Sequence, residues 1–229
     1  MQPDPWQQAY IESRSKRTIL RCPRQSGKSE STACRQLGKI LFEPPWFALF
    51  FGPSQRQAKE LFDSLKTLLA PFRALFPLVE ETQTSFRLAN GSRAVALPAS
   101  DKTVRGFKSV NAFVLDEAAM VPDKLYKAVR PMLAVSHGEI SLLSTPRGKR
   151  GFYWRAWEQA ERGEMWSPFT VTFRDVPRYD PEFLREERDE MGEAWFAQEY
   201  GVEFRDDLTS TDRRNPLLVA PDAVEAMFQ

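Results

Sequence analysis

Histidine and cysteine are nearly missing from these 229 residues: His137 stands alone, and Cys22 and Cys34 are the only thiols. A single histidine leaves little room for histidine-based catalysis, and two cysteines do not make a thiolate metal site. Cys22 lies in a loop and Cys34 on the helix expected after it, so reduced thiols in a cytosolic setting are expected rather than a disulfide. No apolar run approaches the ~20 residues of a membrane span. The opening Met1-Gln-Pro-Asp-Pro lacks the charged and apolar regions of a signal peptide. Internal repeats and low-complexity tracts are also absent. What remains is a chain of 42% hydrophobic residues, enough for one large domain or one domain with an appendage.

Net charge is nearly absent as well, at +1, but this hides an asymmetry. Residues 1–155 carry 24 Lys/Arg against 13 Asp/Glu, whereas residues 156–229 carry 8 against 18. A basic body with an acidic end suits a protein that meets phosphate on one face and solvent or a basic partner elsewhere.

The most specific local signal is Cys22-Pro-Arg-Gln-Ser-Gly-Lys-Ser29. Strand-like Thr18–Arg21 leads into it and a helix-compatible stretch follows, the context in which backbone N–H groups curl around phosphate oxygens at a helix N-terminus. Pro23, Arg24, Gln25, Ser26 and Gly27 would form the cradle, Lys28 would reach the β- and γ-phosphates, and the Ser29 hydroxyl would bind Mg²⁺. The strict pattern asks for glycine where Cys22 stands. A second motif supports the first: the apolar run Ala112–Leu115, suited to a buried parallel strand, ends in Asp116 and Glu117. Asp116 is placed to hold the Mg²⁺ water shell, and Glu117 to orient and deprotonate an attacking water. Together the two motifs point to nucleotide hydrolysis with Mg²⁺.

The rest of the chain alternates. Strands are expected at Thr18–Arg21, Phe47–Phe51, Ala112–Leu115, Ile140–Leu143 and Pro168–Thr172. Helices are expected at Lys28–Leu41, Ser54–Ala70, Pro122–Val129, Phe152–Arg162, Pro181–Met191 and Glu193–Tyr200. Such alternation argues for a mostly parallel sheet covered on both faces. One antiparallel hairpin is expected around Asn90-Gly91, a pair that favours a type I′ turn.

The order of these motifs resembles the ATPase domain of the large terminase subunit of tailed bacteriophages. The likeness runs from about Pro5 to Phe204. It includes Pro5-Trp-Gln7, the P-loop, Gly52-Pro-Ser-Gln-Arg-Gln-Ala58, Asn90-Gly-Ser92, Val104-Arg-Gly-Phe107, Asp116-Glu-Ala-Ala119, Ser144-Thr-Pro146 and Gln198-Glu-Tyr200. The resemblance implies an α/β P-loop NTPase of the RecA-like, additional-strand, catalytic-glutamate kind, with residues 1–173 as the ATPase core. Residues 174–204 would be a small lid, with an apolar seam of Phe183, Leu184, Trp195, Phe196 and Tyr200. Residues 205–229 would lead toward a nuclease domain that would begin where this chain stops, so no DNA cleavage is expected from it.

The resemblance also implies that the nucleotide is ATP, and it implies roles. Gln7 would recognise the adenine edge; the alternative is an exposed polar residue before a helix. Arg24 would approach the γ-phosphate in cis, and Arg105 would act on a neighbouring subunit's nucleotide, with DNA-backbone contact as its alternative. Thr145 would sense the γ-phosphate, unless the Thr-Pro turn only ends a strand. Lys102, Lys108, Lys149 and Arg150 are candidates for phosphate contacts to double-stranded DNA, while Phe152, Trp154 and Trp157 would pack a helix against the sheet.

The implied protein is a packaging motor acting in the host cytoplasm, transiently docked on the procapsid. Its partners would be double-stranded DNA, a portal protein, a small terminase subunit and copies of itself in a ring of five, with a monomer possible in isolation and no membrane. Alternatives are a helicase-like remodeller, or a nucleotide-gated DNA-binding module with little turnover.

Overall fold

The runs Phe47–Gly52, Ala112–Leu115 and Glu139–Ser144 are buried at every position, as strands in the middle of a sheet covered on both faces must be. The computed structural model describes residues 2–99, 106–206 and 208. Its strands are β1 (Arg17–Arg21), β2 (Phe47–Gly52), β3 (Leu78–Glu81), β4 (Ser85–Leu88), β5 (Arg93–Pro98), β6 (Ala112–Leu115), β7 (Glu139–Ser144) and β8 (Ser167–Thr170). The helices are α1 (Pro5–Glu12), α2 (Lys28–Phe42), α3 (Gln55–Leu69), α4 (Asp123–Val129), α5 (Gly151–Glu161), α6 (Pro181–Met191) and α7 (Glu193–Glu199).

One sheet runs β3-β4-β5-β2-β6-β7-β1-β8. From β5 to β8 every pairing is parallel, while β4 runs antiparallel to both β3 and β5. The period-2 alternation of β-strands divides the core. Ala48 and Phe50 of β2 face Tyr10 of α1, Leu37 and Ile40 of α2, and Leu61 and Phe62 of α3. Phe47, Leu49 and Phe51 face the other way, into a layer with Leu125 and Val129 of α4 and Phe152 and Trp157 of α5. Phe50 and Phe51 are fully buried, each stabilising the fold by roughly 1.5–3 kcal/mol relative to exposure. No described helix is long and apolar enough to cross a membrane.

The topology positions the site. Strand β7 lies between β1 and β6, so three parallel strands deliver three consecutive carboxyl ends side by side: the phosphate loop, the turn after Ser144 and the Asp116-Glu117 pair. Ligands of open α/β sheets bind at such ends.

Several sequence expectations need correction. The antiparallel hairpin exists, but Gly91 is its positive-φ residue at +86° and Asn90 does not share that conformation, so the turn is not type I′. The Gly91 N–H donates to the Leu88 carbonyl and the Leu88 N–H to the Ser92 carbonyl, the pattern of a three-residue loop closed by a left-handed glycine. Asn90 stays in place by bonding outward, from Nδ2 to the Ile40 carbonyl at 3.0 Å. The last strand ends at Thr170 rather than Thr172, because the Thr172 side chain accepts the Arg174 N–H and caps a short 3₁₀ turn. Helix α1 and edge strand β3 are elements the sequence reading did not anticipate. In the segment 174–204, expected to be a lid, Phe183 is exposed; the aromatic contacts instead join Phe173, Phe196, Tyr200 and Tyr179, with ring centroids 4.9–5.8 Å apart.

Candidate active site

Strand β1 hands the chain to the phosphate loop through the Cys22 N–H, which donates to the Ser144 carbonyl at 3.1 Å. Ser26 Oγ donates to the Pro23 carbonyl at 2.9 Å and closes the loop. Gln25 and Gly27 both take positive φ, 56° and 92°, and left-handed residues within such a turn shape a concave anion nest. Gly27 suits the position because any Cβ there would be strained by φ; it would also lie 2.5 Å from Gln7 Nε2, and that side chain would have to move. Helix α2 begins at once with Lys28, which places its N-terminal dipole behind the nest.

At the end of β6, Ser29 Oγ donates to Asp116 Oδ2 at 3.1 Å, and the Glu117 N–H donates to Asp116 Oδ1 at 3.0 Å. Lys28 Nζ lies 2.9 Å from Glu117 Oε1. Glu117 has φ +49° and ψ 46°, a left-handed geometry that costs a non-glycine residue free energy and concentrates at functional sites. The buried Asp116 carboxyl is held above the usual range because desolvation outweighs the attraction of Lys28. Burial opposes the Lys28 charge, yet Asp116 and Glu117 together hold its pKa above the ordinary value. The ammonium therefore stays charged at neutral pH.

Strand β7 supplies the link between the two motifs. Ser144 Oγ accepts the Ala119 N–H at 3.2 Å, donates to the Thr145 carbonyl at 2.8 Å, and lies 3.5 Å from Glu117 Oε2. The Thr145 hydroxyl donates to the Cys22 carbonyl at 3.0 Å, so Thr145 touches the phosphate loop through its first residue. Beneath them, the buried Tyr153 hydroxyl meets the Leu20 carbonyl at 2.8 Å and the Ser144 carbonyl at 3.2 Å, fixing the ends of β1 and β7 together.

The remaining expected residues are distributed less compactly. Arg24 is 77% exposed, with Nε 3.3 Å from Glu199 Oε2 in α7. Gln7 lies within α1, not before it: with Asp4 it forms a capping box in which its Oε1 accepts the Asp4 N–H at 2.8 Å. Lys108, Lys149 and Arg150 are exposed, and the Lys149 N–H donates to Asp206 Oδ1 at 2.7 Å. Lys102 and Arg105 fall outside the described residues. Phe152 and Trp157 are buried, packing α5 against the sheet as expected. Ser144 belongs to the Ser144-Thr-Pro146 motif already singled out, although no separate role was given to it; the sequence reading missed Asp4, Tyr153, Arg178 and Tyr179. Of these only Asp4 left a local signal, an Asp-x-x-Gln capping box with proline at the first helical position.

A cavity of about 760 Å³ lies elsewhere, at the amino ends of β1, β6 and β7, lined by Lys16, Arg35, Lys39, Asn111, His137 and Glu139 among others. Its most buried charges are engaged: Lys39 Nζ is 2.7 Å from Glu139 Oε1, and Arg35 donates to the carbonyls of Tyr10, Ser13 and Ser15. The chemistry-bearing residues are at the opposite end of the strands.

The donor set there fits a magnesium nucleotide. A hydroxyl and a carboxylate oxygen 3.1 Å apart form the oxygen-only pair that Mg²⁺ accepts alongside waters and phosphate oxygens. Ser29 and Asp116 would hold the ion, and Lys28 with the nest would hold the phosphates. An anion nest after β1, two carboxylates after β6 and an extra strand between them define a P-loop fold of the RecA-like type.

The family described as the terminase large subunit, T4likevirus-type, N-terminal, matches residues 19–212, and the chain belongs to it. The terminase large subunit of Thermus phage G20c is 27% identical across 86% of this chain and 48% of its own length; that of Escherichia phage T5 is 26% identical across 76% and 43%. The chain thus spans about half the length of these relatives. Among solved structures, the large terminase ATPase domain of Thermus phage P74-26 superposes with a TM-score of 0.76 at 24% identity, covering 89% of this chain and 94% of that one. The large terminase of a thermophilic bacteriophage, solved in complex with ADP, gives 0.73 at 10% identity, covering 88% and 54%.

Proposed function

We propose that this chain is the Mg²⁺-dependent ATPase motor domain of a phage terminase large subunit, driving double-stranded DNA into a procapsid. The observation that carries the reading is the meeting of Lys28 and Ser29 with Asp116 and Glu117 across strand β7, in a chain of the terminase family. Glu117 deprotonates the attacking water. Lys28 and the N–H groups of the loop stabilise charge on the phosphates, and Ser29 with Asp116 holds the metal. Arg24, once released from Glu199, is in reach of the nucleotide's terminal phosphate from within its own subunit, and Arg105 serves the neighbouring subunit's site. An arginine so placed is typically worth about 10³–10⁵ in rate, because it neutralises charge on the transferred phosphoryl.

The exposed cations Lys108, Lys149 and Arg150, with Lys102, contact DNA phosphates, giving salt-dependent binding indifferent to sequence. The working assembly is a ring of copies docked with a portal protein and a small terminase subunit in the host cytoplasm. The test is ATP turnover per subunit as a function of protein concentration with Mg²⁺ present. Specific activity that rises with concentration supports a site completed by a neighbour, and a flat rate supports Arg24 acting alone. No turnover at any concentration would overturn the ATPase reading.

A further inference from the structure

Two adjacent residues of the segment 174–204 hold the phosphate loop by its backbone. Arg178 Nη2 donates to the Ser26 carbonyl at 2.9 Å, and the Tyr179 hydroxyl donates to the Arg24 carbonyl. Arg178 is itself held: its Nη1 lies 2.8 Å from Asp4 Oδ2, a carboxylate whose side chain is only 10% exposed. Arg178 thus joins three parts of the chain, its own segment, the apex of the loop and the first turn of α1 that carries Gln7. Tyr179 is fixed from its other side by an edge-on contact with Tyr200, centroids 5.8 Å apart.

The peptide unit is planar and trans, so a carbonyl and the N–H that follows it point in opposite directions. A carbonyl pinned outward therefore aims the next N–H inward. Pinning the Ser26 carbonyl sets the direction of the Gly27 N–H, and pinning the Arg24 carbonyl sets that of the Gln25 N–H. Gln25 and Gly27 are the two positive-φ residues of the loop, so the N–H groups being aimed belong to the residues that shape the nest. Arg178 Nη2 also lies 3.6 Å from where a Cβ on Gly27 would stand, which places the guanidinium beside the glycine whose N–H it orients.

We infer that Arg178 and Tyr179 are positioning residues for nucleotide binding, which preorganise the phosphate loop by holding the carbonyls of Ser26 and Arg24. The inference rests on the nucleotide-hydrolysing reading of the site. Neither residue needs to touch the nucleotide. Their effect is to remove the cost of turning two donors toward the phosphates at the moment of binding, and preorganisation of this kind appears as affinity.

The test compares Arg178→Gln and Tyr179→Phe with the unmodified chain, measuring ATPγS binding by calorimetry and the split between KM and kcat for ATP. Tyr179→Phe keeps the ring against Tyr200 and removes only the hydroxyl, so lost packing does not confuse its result. Tyr179→Phe is expected to weaken ATPγS binding by about two- to tenfold, the range of one neutral hydrogen bond, and Arg178→Gln by about tenfold or more, because its bond is charge-assisted; each should raise KM by more than it lowers kcat. Lower melting temperature with unchanged affinity and KM would overturn the inference and leave a merely structural role. If the unmodified chain binds no ATPγS, the nucleotide reading itself fails; if it binds and both variants bind equally well, only this inference does.

Discussion

Lys28 Nζ lies 2.9 Å from Glu117 Oε1, so the cation of the phosphate loop and the carboxylate beyond β6 form one ion pair. On the proposed function, phosphate oxygens arriving at Lys28 would compete with Glu117 for the same ammonium, which would couple nucleotide arrival to release of the proposed general base. Glu117→Gln removes the base and weakens the competition together. Turnover should fall about 10²–10⁴-fold, the usual worth of a positioned general base, while MgATP binding is kept or tightened. Phosphate-release kinetics beside a binding isotherm check both halves. Equal turnover in the variant and the unmodified chain would remove Glu117 from the mechanism.

Gln7 leads to a different expectation from the one its motif suggests. Its Oε1 already accepts the Asp4 N–H, which leaves only the amide donors, and Nε2 is the atom nearest the position a Gly27 Cβ would take. On the edge that carries N6 and N7, a lone donor can pair only with N7, an acceptor on adenine and guanine alike, and not with the N6 donor that marks adenine. Gln7→Ala should therefore raise KM for ATP and GTP by a similar factor, through loss of support for Gly27. A change of about tenfold or more in the ATP-to-GTP ratio of kcat/KM would instead show that the side chain turns its oxygen to the base.

How legible the molecule was depends on the distance over which each feature is specified. Lys28-Ser29 and Asp116-Glu117 are readable because each sits in a short pattern that also fixes its local structure, a loop before a helix and the end of an apolar strand. Strand β6, apolar at all four positions, is found by the same means. Helix α1 was overlooked because Tyr10 is its only buried residue and its apolar face is too narrow to set a period. Strand β3 is an edge strand in which Val79 is 61% exposed and Glu80 and Glu81 follow, so neither alternation nor apolarity marks it. Arg178 and Tyr179 could not be read at all. They act on backbone carbonyls more than 150 residues away in sequence, and a carbonyl is the same at every residue. The role of Tyr153 was hidden for the same reason.

Tyr153 offers a test of how the ends of β1 and β7 are held. Its hydroxyl is buried between the Leu20 and Ser144 carbonyls, and burial holds its pKa well above the ordinary value. Tyr153→Phe keeps the ring and deletes the donor, and the Ser144 carbonyl still receives the Cys22 N–H. The loss should be about 1 kcal/mol, near the middle of the range for a net hydrogen bond. For a domain of this size that lowers Tm by roughly 2–4 °C. A denaturant titration with unchanged m-value checks it; no shift in midpoint would mean the hydroxyl contributes nothing to the join.

The alkaline side of the stability curve follows from Cys22. The thiol is fully buried, and desolvation pushes its pKa up from the ordinary 9.0 to about 12, with the charge of Lys28 only partly opposing the rise. The folded state thus holds this proton more tightly than the unfolded state does. The resulting stabilisation is fully present below pH 9 and is lost as pH rises toward 12. Across that interval it amounts to roughly 4 kcal/mol. Tyr179, raised chiefly by burial from 10.0 to about 12, acts with the same sign in a window that begins one pH unit higher. Urea midpoints should therefore fall steadily above pH 9, and Cys22→Ala should flatten the first part of that decline while keeping the part due to tyrosines. Iodoacetamide at about pH 8 should label the exposed Cys34 and spare Cys22 until the chain unfolds. If Cys22→Ala leaves the slope between about pH 9 and 10 unchanged, the buried thiol is not what makes the fold sensitive to alkali.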